Sequence, residues 1–254
     1  MQGATDIGLL VTKQKRILEC IIDLSGVAEL RAVEQGADGY RFGSGTSLET
    51  VKAIAEQHFP ALYDMLKVFG SLQIRNLASL GGNLGSASPI GDTPPVLMAY
   101  DATIHIQSVD GTRSVKALEF ITGYRQTVLK PNELITAIEV PFTTDATVHS
   151  YKISKRKDLD ISTVSSGFRL QLVGDAVADL RLVYGGMAAQ TLRAAKTEAF
   201  LLGKPWNRET VEAAMPLVDE DFTPISDARS SADGRKVMAR NLLLKFWADT
   251  AGVQ

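Results

Sequence analysis

The sequence predicts an α+β protein, with antiparallel strands and helices gathered in separate stretches rather than alternating. Two hairpins predict the strands. ATIHIQSVDGTRSV alternates at period two across an Asp110-Gly111 turn, and SGFRLQLVGDAVADLRLVYGGMAA makes a second hairpin further on. Three helical segments then follow one another without a strand between them: LRAAKTEAFLLG, RETVEAAMPLV and SADGRKVMARNLLLKFWADT. The 254 residues suit one large domain or a few small ones, and 45% hydrophobic with 22% charged residues is a globular composition. A net charge of -2 and the lack of a dense Lys/Arg run argue against a nucleic-acid surface. No apolar run approaches the roughly 20 residues of a membrane span, so a soluble, cytoplasmic protein is expected. Cys20 stands alone, which excludes an internal disulfide framework and any Cys-ligated zinc or iron–sulfur site.

Taken in order, residues 16–27 (RILECIIDLSGV) carry the dense Ile/Leu run of a buried strand, with Cys20 as a small core hydrophobe inside it. ELRAVEQGADGYRFGSGT offers two short strands around a Gly-Ala-Asp-Gly turn. Thr46-Ser47-Leu48-Glu49 reads as a capping box opening a helix to about Gln57. Pro60 breaks it, and ALYDMLKVFG makes a second helix closed at Gly70. His105, between Ile104 and Ile106, points to solvent on a period-two strand, and KPNELITAIEVPF supplies another strand closed by Pro141. TTDATVHS lacks periodicity and reads as a junction, giving units 1–143 and 144–254. YKISKRKDLDIS adds a third strand to the second hairpin. In the last helix Val237, Leu244 and Trp247 form the core stripe, with Ser230 and Asp233 as the N-terminal cap.

The chemistry is not that of several familiar sites. His58, His105 and His149 are far apart without metal-spaced neighbours, and no nucleophile elbow, Walker loop or Rossmann Gly-x-Gly-x-x-Gly occurs. Two small-residue turns remain, Gly3-Ala4-Thr5-Asp6-Ile7-Gly8 and Ser79-Leu80-Gly81-Gly82-Asn83, the second inside ASLGGNLGSASPIGD. Successive backbone N–H groups free of bulky side chains make concave anion sites, and glycine lets the chain approach a diphosphate closely. One such turn alone reads as a structural turn. Two of them, with Asp92 behind the second, fit an extended dinucleotide gripped along its diphosphate.

GATDIG resembles the Ala-Gly-Gly-Thr-Asp-Leu turn of the FAD-binding subunits of molybdenum hydroxylases, and ASLGGNLGSASPIGDTPPVLMAYDA resembles their second flavin motif. GYRQTVLKPNELITAIEVP, YKISKRKDLDIS, YGGMA and DFTPISDARSSADGRKVMARNLL are most similar to the small subunits of bacterial xanthine dehydrogenases. The resemblance implies a flavin-binding domain of the PCMH type, an N-terminal remnant plus an antiparallel sheet with helices. A small antiparallel sheet with a helical bundle, like the C-terminal part of the carbon monoxide dehydrogenase flavoprotein, would follow. It implies FAD as the cofactor, held by Gly3, Ala4, Thr5, Asp6, Ile7 and Gly8 and by Ala78, Ser79, Leu80, Gly81, Gly82, Asn83 and Ser88. Phe69 would lie against the adenine portion, Asp92 would bond polar groups of the cofactor, and Ile135 would contact the isoalloxazine ring. Lys152 would place its ammonium near the ring's polar edge, where positive charge favours the reduced ring. Arg156, Lys157, Asp158 and Asp160 would line the approach of NAD.

The implied function is electron transfer through FAD in a xanthine dehydrogenase, from a molybdenum centre and iron–sulfur clusters on partner domains to NAD, in the purine catabolism of that branch. No residue of this chain would perform the hydroxylation. A flavin subunit of a carbon monoxide dehydrogenase or another aromatic hydroxylase shares the glycine motifs, and a flavin-free structural module is the reading from outside the enzyme class. Ala4 stands where the family has a second glycine, a substitution that serves if its φ is negative. The family also has a strand and helix before the first turn, so the resemblance implies a subunit truncated at its N-terminus, with a weakly anchored first turn.

Overall fold

The computed structural model describes residues 3–157 and 159–251. The strand read from ELITAIEVP is the centre of the first sheet. It runs as β7 (Leu134–Pro141), its buried residues including Ile135, Ala137, Ile138 and Val140. β7 pairs on one side with β2 (Gly39–Gly43), itself flanked by β1 (Val33–Gln35), and on the other with the hairpin of β3 (Thr103–Ser108) and β4 (Gly111–Lys116). After β4, the short α7 (Ala117–Phe120) and the two-stranded β5 (Ile121–Gly123) and β6 (Gln126–Thr127) lead back to β7. All pairings are antiparallel, and a bulge interrupts β3 against β7 between His105 and Ile106. His105 is part-exposed and meets Glu139 of β7 at 3.1 Å, consistent with its outward alternation.

Helices α2 (Leu48–His58) and α3 (Pro60–Lys67) cover this sheet, burying Leu48, Val51, Ala55, Leu62, Met65 and Leu66 in one core with Phe42, Phe59 and Ile138. The cap of α2 is Ser47 rather than Thr46, because Ser47 has the extended backbone an N-cap needs and its hydroxyl accepts from Thr50 N. Glu49 does not reach back to close a capping box. It pairs instead with Lys52 at 2.7 Å and Arg75 at 2.6 Å. Pro60 starts α3 at a position where its missing N–H is harmless. The helix ends at Lys67, before α4 (Leu72–Leu77) begins.

The second sheet has the order β11-β10-β9-β8: β11 is Leu192–Arg193, β10 is Ala176–Gly185, β9 is Val164–Val173 and β8 is Thr147–Ile153. Helices α8 (Ala195–Leu201), α9 (Arg208–Asp221) and α10 (Ala232–Thr250) pack on it around Phe168, Tyr184, Trp206 and Phe246. Residues 147–150, expected in the junction, are in fact the first half of β8. That edge strand is half-buried at nearly every position, so no period-two signal marks it. In α10 the buried stripe is Ala239, Leu242, Leu243 and Phe246, with Leu244 and Trp247 packed beside it, whereas Val237 is exposed. Its cap is Ser231, accepting from Gly234 N, one residue after the expected Ser230.

Between the sheets runs α6 (Thr93–Ala99), whose seven residues are all buried. Two glycines of the second sheet make room for it. A Cβ on Gly167 would lie 2.3 Å from Pro95 O, and one on Gly185 would meet Pro95 Cγ at 3.4 Å. The expected strand over residues 16–27 does not form. The segment has no strand or bridge, Ile17 and Ile22 are 89% and 71% exposed, and Cys20 is exposed rather than in a core. A strand needs a ladder to satisfy its backbone, and apolar residues alone do not supply one.

Candidate functional site

The stretch after Ala78 becomes a helical turn rather than an open loop. Ser79 is extended, its hydroxyl accepts from Gly82 N, and α5 (Leu80–Gly85) follows. The entry to α5 lies against the backbone at 44–48. Leu48 N donates to Ala78 O at 2.9 Å, Leu80 N to Thr46 O at 3.0 Å and Gly81 N to Ser44 O at 2.8 Å. Asn83 N closes the turn on Ser79 O at 3.0 Å. The N–H groups of Leu80, Gly81, Gly82 and Asn83 therefore all have acceptors within the chain, and the turn is the start of a helix. Gly81 is glycine for packing: a Cβ there would lie 2.5 Å from Ser44 Cβ.

The first turn comes to the same place. Gly3 has φ 66° and fits against the second turn so closely that a Cβ would lie 2.2 Å from Leu77 O and 3.2 Å from Ser79 N. Ala4 has φ 55°, not the negative φ expected of a tolerated substitution, so the family's glycine position is left-handed here and alanine bears the strain. Thr5 and Asp6 lead into α1 (Ile7–Thr12), and Asp6 meets Arg125 at 3.5 Å.

Two other glycines have no reason in the packing. A Cβ on Gly8 meets nothing within 4 Å, and one on Gly85 meets only Ile135 Cδ1 at 3.7 Å. Neither has a positive φ, so no left-handed backbone requires glycine at either position. Gly82 and Gly85 are exposed along α5, so this side of the helix is bare backbone bordered by Ile135 of β7.

The far side of α5 is polar and interior. Thr93 donates to Asn83 Oδ1 at 2.6 Å. Next to it Asp92 receives Lys152 Nζ at 2.8 Å and the hydroxyl of Ser162. Lys152 also donates to Val68 O at 3.2 Å, beside the half-buried Phe69. The side chains of Lys152 and Asp92 are 6% and 8% exposed, so this lysine is an interior cation already neutralised by a carboxylate. Ser88 turns the chain locally, its hydroxyl accepting from Ile90 N and its carbonyl from Gly91 N.

The loop after β8 folds on itself. Arg156 N donates to Asp160 at 2.9 Å and Lys155 donates to Ala228 O at 2.6 Å. Hydrogen bonds to Asp160, chiefly from Arg156 N, hold its carboxyl below the usual range against some opposing burial. Arg156 and Lys157 are exposed, and Asp158 lies outside the described residues. Ser162 and Thr93 have no sequence signal, since a lone hydroxyl carries none. Gly186, φ 80°, donates to Pro89 O at 2.8 Å and lies in the Gly-Gly pair of YGGMA. Two cavities of about 280 and 260 Å³ lie elsewhere, lined in part by Thr144, Asp145 and Ala146.

An antiparallel sheet and a second sheet-and-helix unit, with a strip of bare backbone at the meeting of two small-residue turns, fit a domain of the nucleotide-cofactor-binding class. Comparison makes the class specific: the chain belongs to the FAD-binding domains of molybdopterin dehydrogenases. Residues 1–143 match the family described as the FAD binding domain in molybdopterin dehydrogenase, and residues 149–250 match the CO dehydrogenase flavoprotein C-terminal domain. The chain is 34% identical to xanthine dehydrogenase/oxidase of Gallus gallus, over 96% of this chain and 19% of that one. It is 32% identical to the glyceraldehyde dehydrogenase medium chain of Sulfolobus acidocaldarius, over 91% of this chain and 83% of that one. A carbon monoxide dehydrogenase structure from Hydrogenophaga pseudoflava superposes with a TM-score of 0.91 at 25% identity, covering 96% of this chain and 86% of that one. The chain thus spans about a fifth of the length of the xanthine dehydrogenases it matches.

The residues present fit FAD. An added Cβ on Gly8 would meet nothing within 4 Å, and one on Gly85 would touch only the apolar Ile135, so both leave room, Gly85 beside an apolar side chain. Glycine is the residue used where another backbone or a ligand approaches closely.

Proposed function

We propose that this chain holds FAD across the bare face of α5 and passes electrons from iron–sulfur clusters and a molybdenum centre on partner domains to NAD, within a xanthine dehydrogenase. The single observation that carries the site is the pair Gly8 and Gly85, glycine at helical positions without steric cause. Bound there, FAD supplies the two-electron redox chemistry. Gly3, Ala4, Thr5, Asp6, Ile7 and Gly8 border the diphosphate side, with Ala78, Ser79, Leu80, Gly81, Gly82, Asn83 and Ser88 opposite. Ile135 gives the ring an apolar seat and keeps water from one face, and Phe69 lies toward the adenine end. Asp92 and Lys152 act as a neutral pair that fixes the wall of the site. Arg156, Lys157 and Asp160 stand on an exposed loop suited to an anionic dinucleotide acceptor. The division into units 1–143 and 144–254 belongs to this reading. A vertebrate and two plant xanthine dehydrogenases, at 32–34% identity, support the xanthine branch. The superposition on carbon monoxide dehydrogenase supports a flavin subunit of that kind as the second reading.

Titration with FAD, followed by flavin fluorescence and the visible spectrum, tests the site. The purified protein should take up FAD, and Gly85→Ala should weaken binding about ten-fold or more, the scale of one added carbon in a close-fitting site. The same change should leave the melting temperature unchanged or raised, because the new methyl only touches Ile135. Equal affinity of parent and Gly85→Ala would contradict the placement.

A further inference from the structure

Arg235 is the largest fully buried side chain among the described residues, 2% exposed, and no role at the site has yet been given to it. Its guanidinium joins three separate stretches of chain. Nη1 donates to the carbonyl of Thr163 and, at 3.0 Å, to Gly186 O, while Nη2 meets Asp227 Oδ1 at 2.8 Å. Asp227 is itself anchored by the N–H groups of Arg229 and Ser230. Nε has no partner among the described residues, so the group is oriented for those three acceptors at the expense of a fourth bond.

Each carbonyl it holds leads directly to the cofactor wall. Gly186 N donates to Pro89 O, which sets the segment ahead of Asp92. Thr163 N donates to Ile153 O at 2.7 Å, closing the base of the 154–162 loop, and Thr163 follows Ser162, the hydroxyl partner of Asp92. Gly186 must be glycine here, since with φ 80° a Cβ would lie 2.4 Å from Thr163 O. Resting on the FAD reading above, we propose that Arg235, in the C-terminal helix, is a positioning residue for the cofactor site. It acts through Gly186 on residues 88–92 and through Thr163 on the loop that borders the acceptor. A lysine cannot replace it, because one ammonium on a flexible stem does not span two carbonyls and a carboxylate in a fixed plane.

The test compares Arg235→Met with Trp206→Phe in the full chain. Trp206 donates to Thr250 at 2.8 Å in the same helical layer and touches none of the residues at the site, so its loss lowers stability without moving the wall. FAD dissociation constants are measured at a temperature where circular dichroism shows all three proteins folded. Arg235→Met should raise the constant about ten-fold or more, as misplacement of a supporting group does, and Trp206→Phe should leave it within about two-fold, as for distant independent sites. Where Arg235→Met does not fold, Arg235→Lys is read by the same criterion. If the Arg235 variant and Trp206→Phe bind FAD alike at matched loss of melting temperature, Arg235 is only structural and the proposal is overturned. A parent protein that takes up no FAD overturns the functional reading and this proposal together.

Discussion

Lys152 shows how a single residue changes meaning between sequence and structure. The sequence offers a lysine in a charged run, YKISKRKDLDIS, and only resemblance assigns it a place beside the flavin ring. In the fold its charge is matched by Asp92, 60 residues away in the chain, with Ser162 completing the carboxylate's bonds. No local pattern reveals which acid meets which base across such a separation. Removing one partner of a buried pair leaves the other charge in an interior with nothing to replace water. Lys152→Met should therefore lower the unfolding free energy by about 3–5 kcal/mol in denaturant titration. Lys152→Met combined with Asp92→Asn should recover part of that loss. A Lys152→Met protein as stable as the parent would mean that the pair is open in solution. The glycines divide in the same way. Gly81 and Gly85 look equivalent in LGGNLG, but one is fixed by contact with Ser44 and the other by no protein atom, a difference only the assembled backbone displays.

At the scale of elements, what lies within one turn or hairpin was legible, and what depends on a distant partner was not. The β3–β4 hairpin, α2, α3 and the three C-terminal helices follow from period and turn residues, with cap positions missed by one residue. The segment 16–27 has the composition of a strand and forms none, because composition carries no information about whether a neighbouring strand is there. Across β3, Arg113 of β4 reaches Glu133, just ahead of β7, through two nitrogens at 2.8 and 2.7 Å. That bond, with a further one from Lys130 N, holds the Glu133 carboxyl at about 2 instead of 4.5. A carboxyl whose pKa is depressed by folding stabilises the fold above its unfolded value, and that contribution fades as pH falls through the folded value. The stability difference between the parent and Glu133→Gln should thus be full above pH 4.5, shrink between pH 4.5 and about 2, and vanish below. Denaturant titrations at several pH values measure it, and a difference that stays constant over this range would contradict the assignment.

At the scale of the whole molecule, α6 makes the two sheets one structure. Pro94 and Pro95 preset its first turn, Gly167 and Gly185 let the second sheet approach it, and Arg181 reaches across to Asp101 at 2.8 Å. This arrangement sets the Asp92–Lys152 wall against α5. The antiparallel α+β class, the two hairpins and the glycine-rich turns could be read from the chain. The burial of α6, the start of β8 and the closure of the N–H groups of the second turn could not, because each is decided by packing between segments far apart. Amide hydrogen exchange with and without FAD tests the central claim most directly, since it reports where on the chain the cofactor lies. Added FAD should slow exchange in residues 3–8, 80–88 and 134–137. Protection confined to residues 141–147 and the cavities beside them, or no protection anywhere, would contradict it.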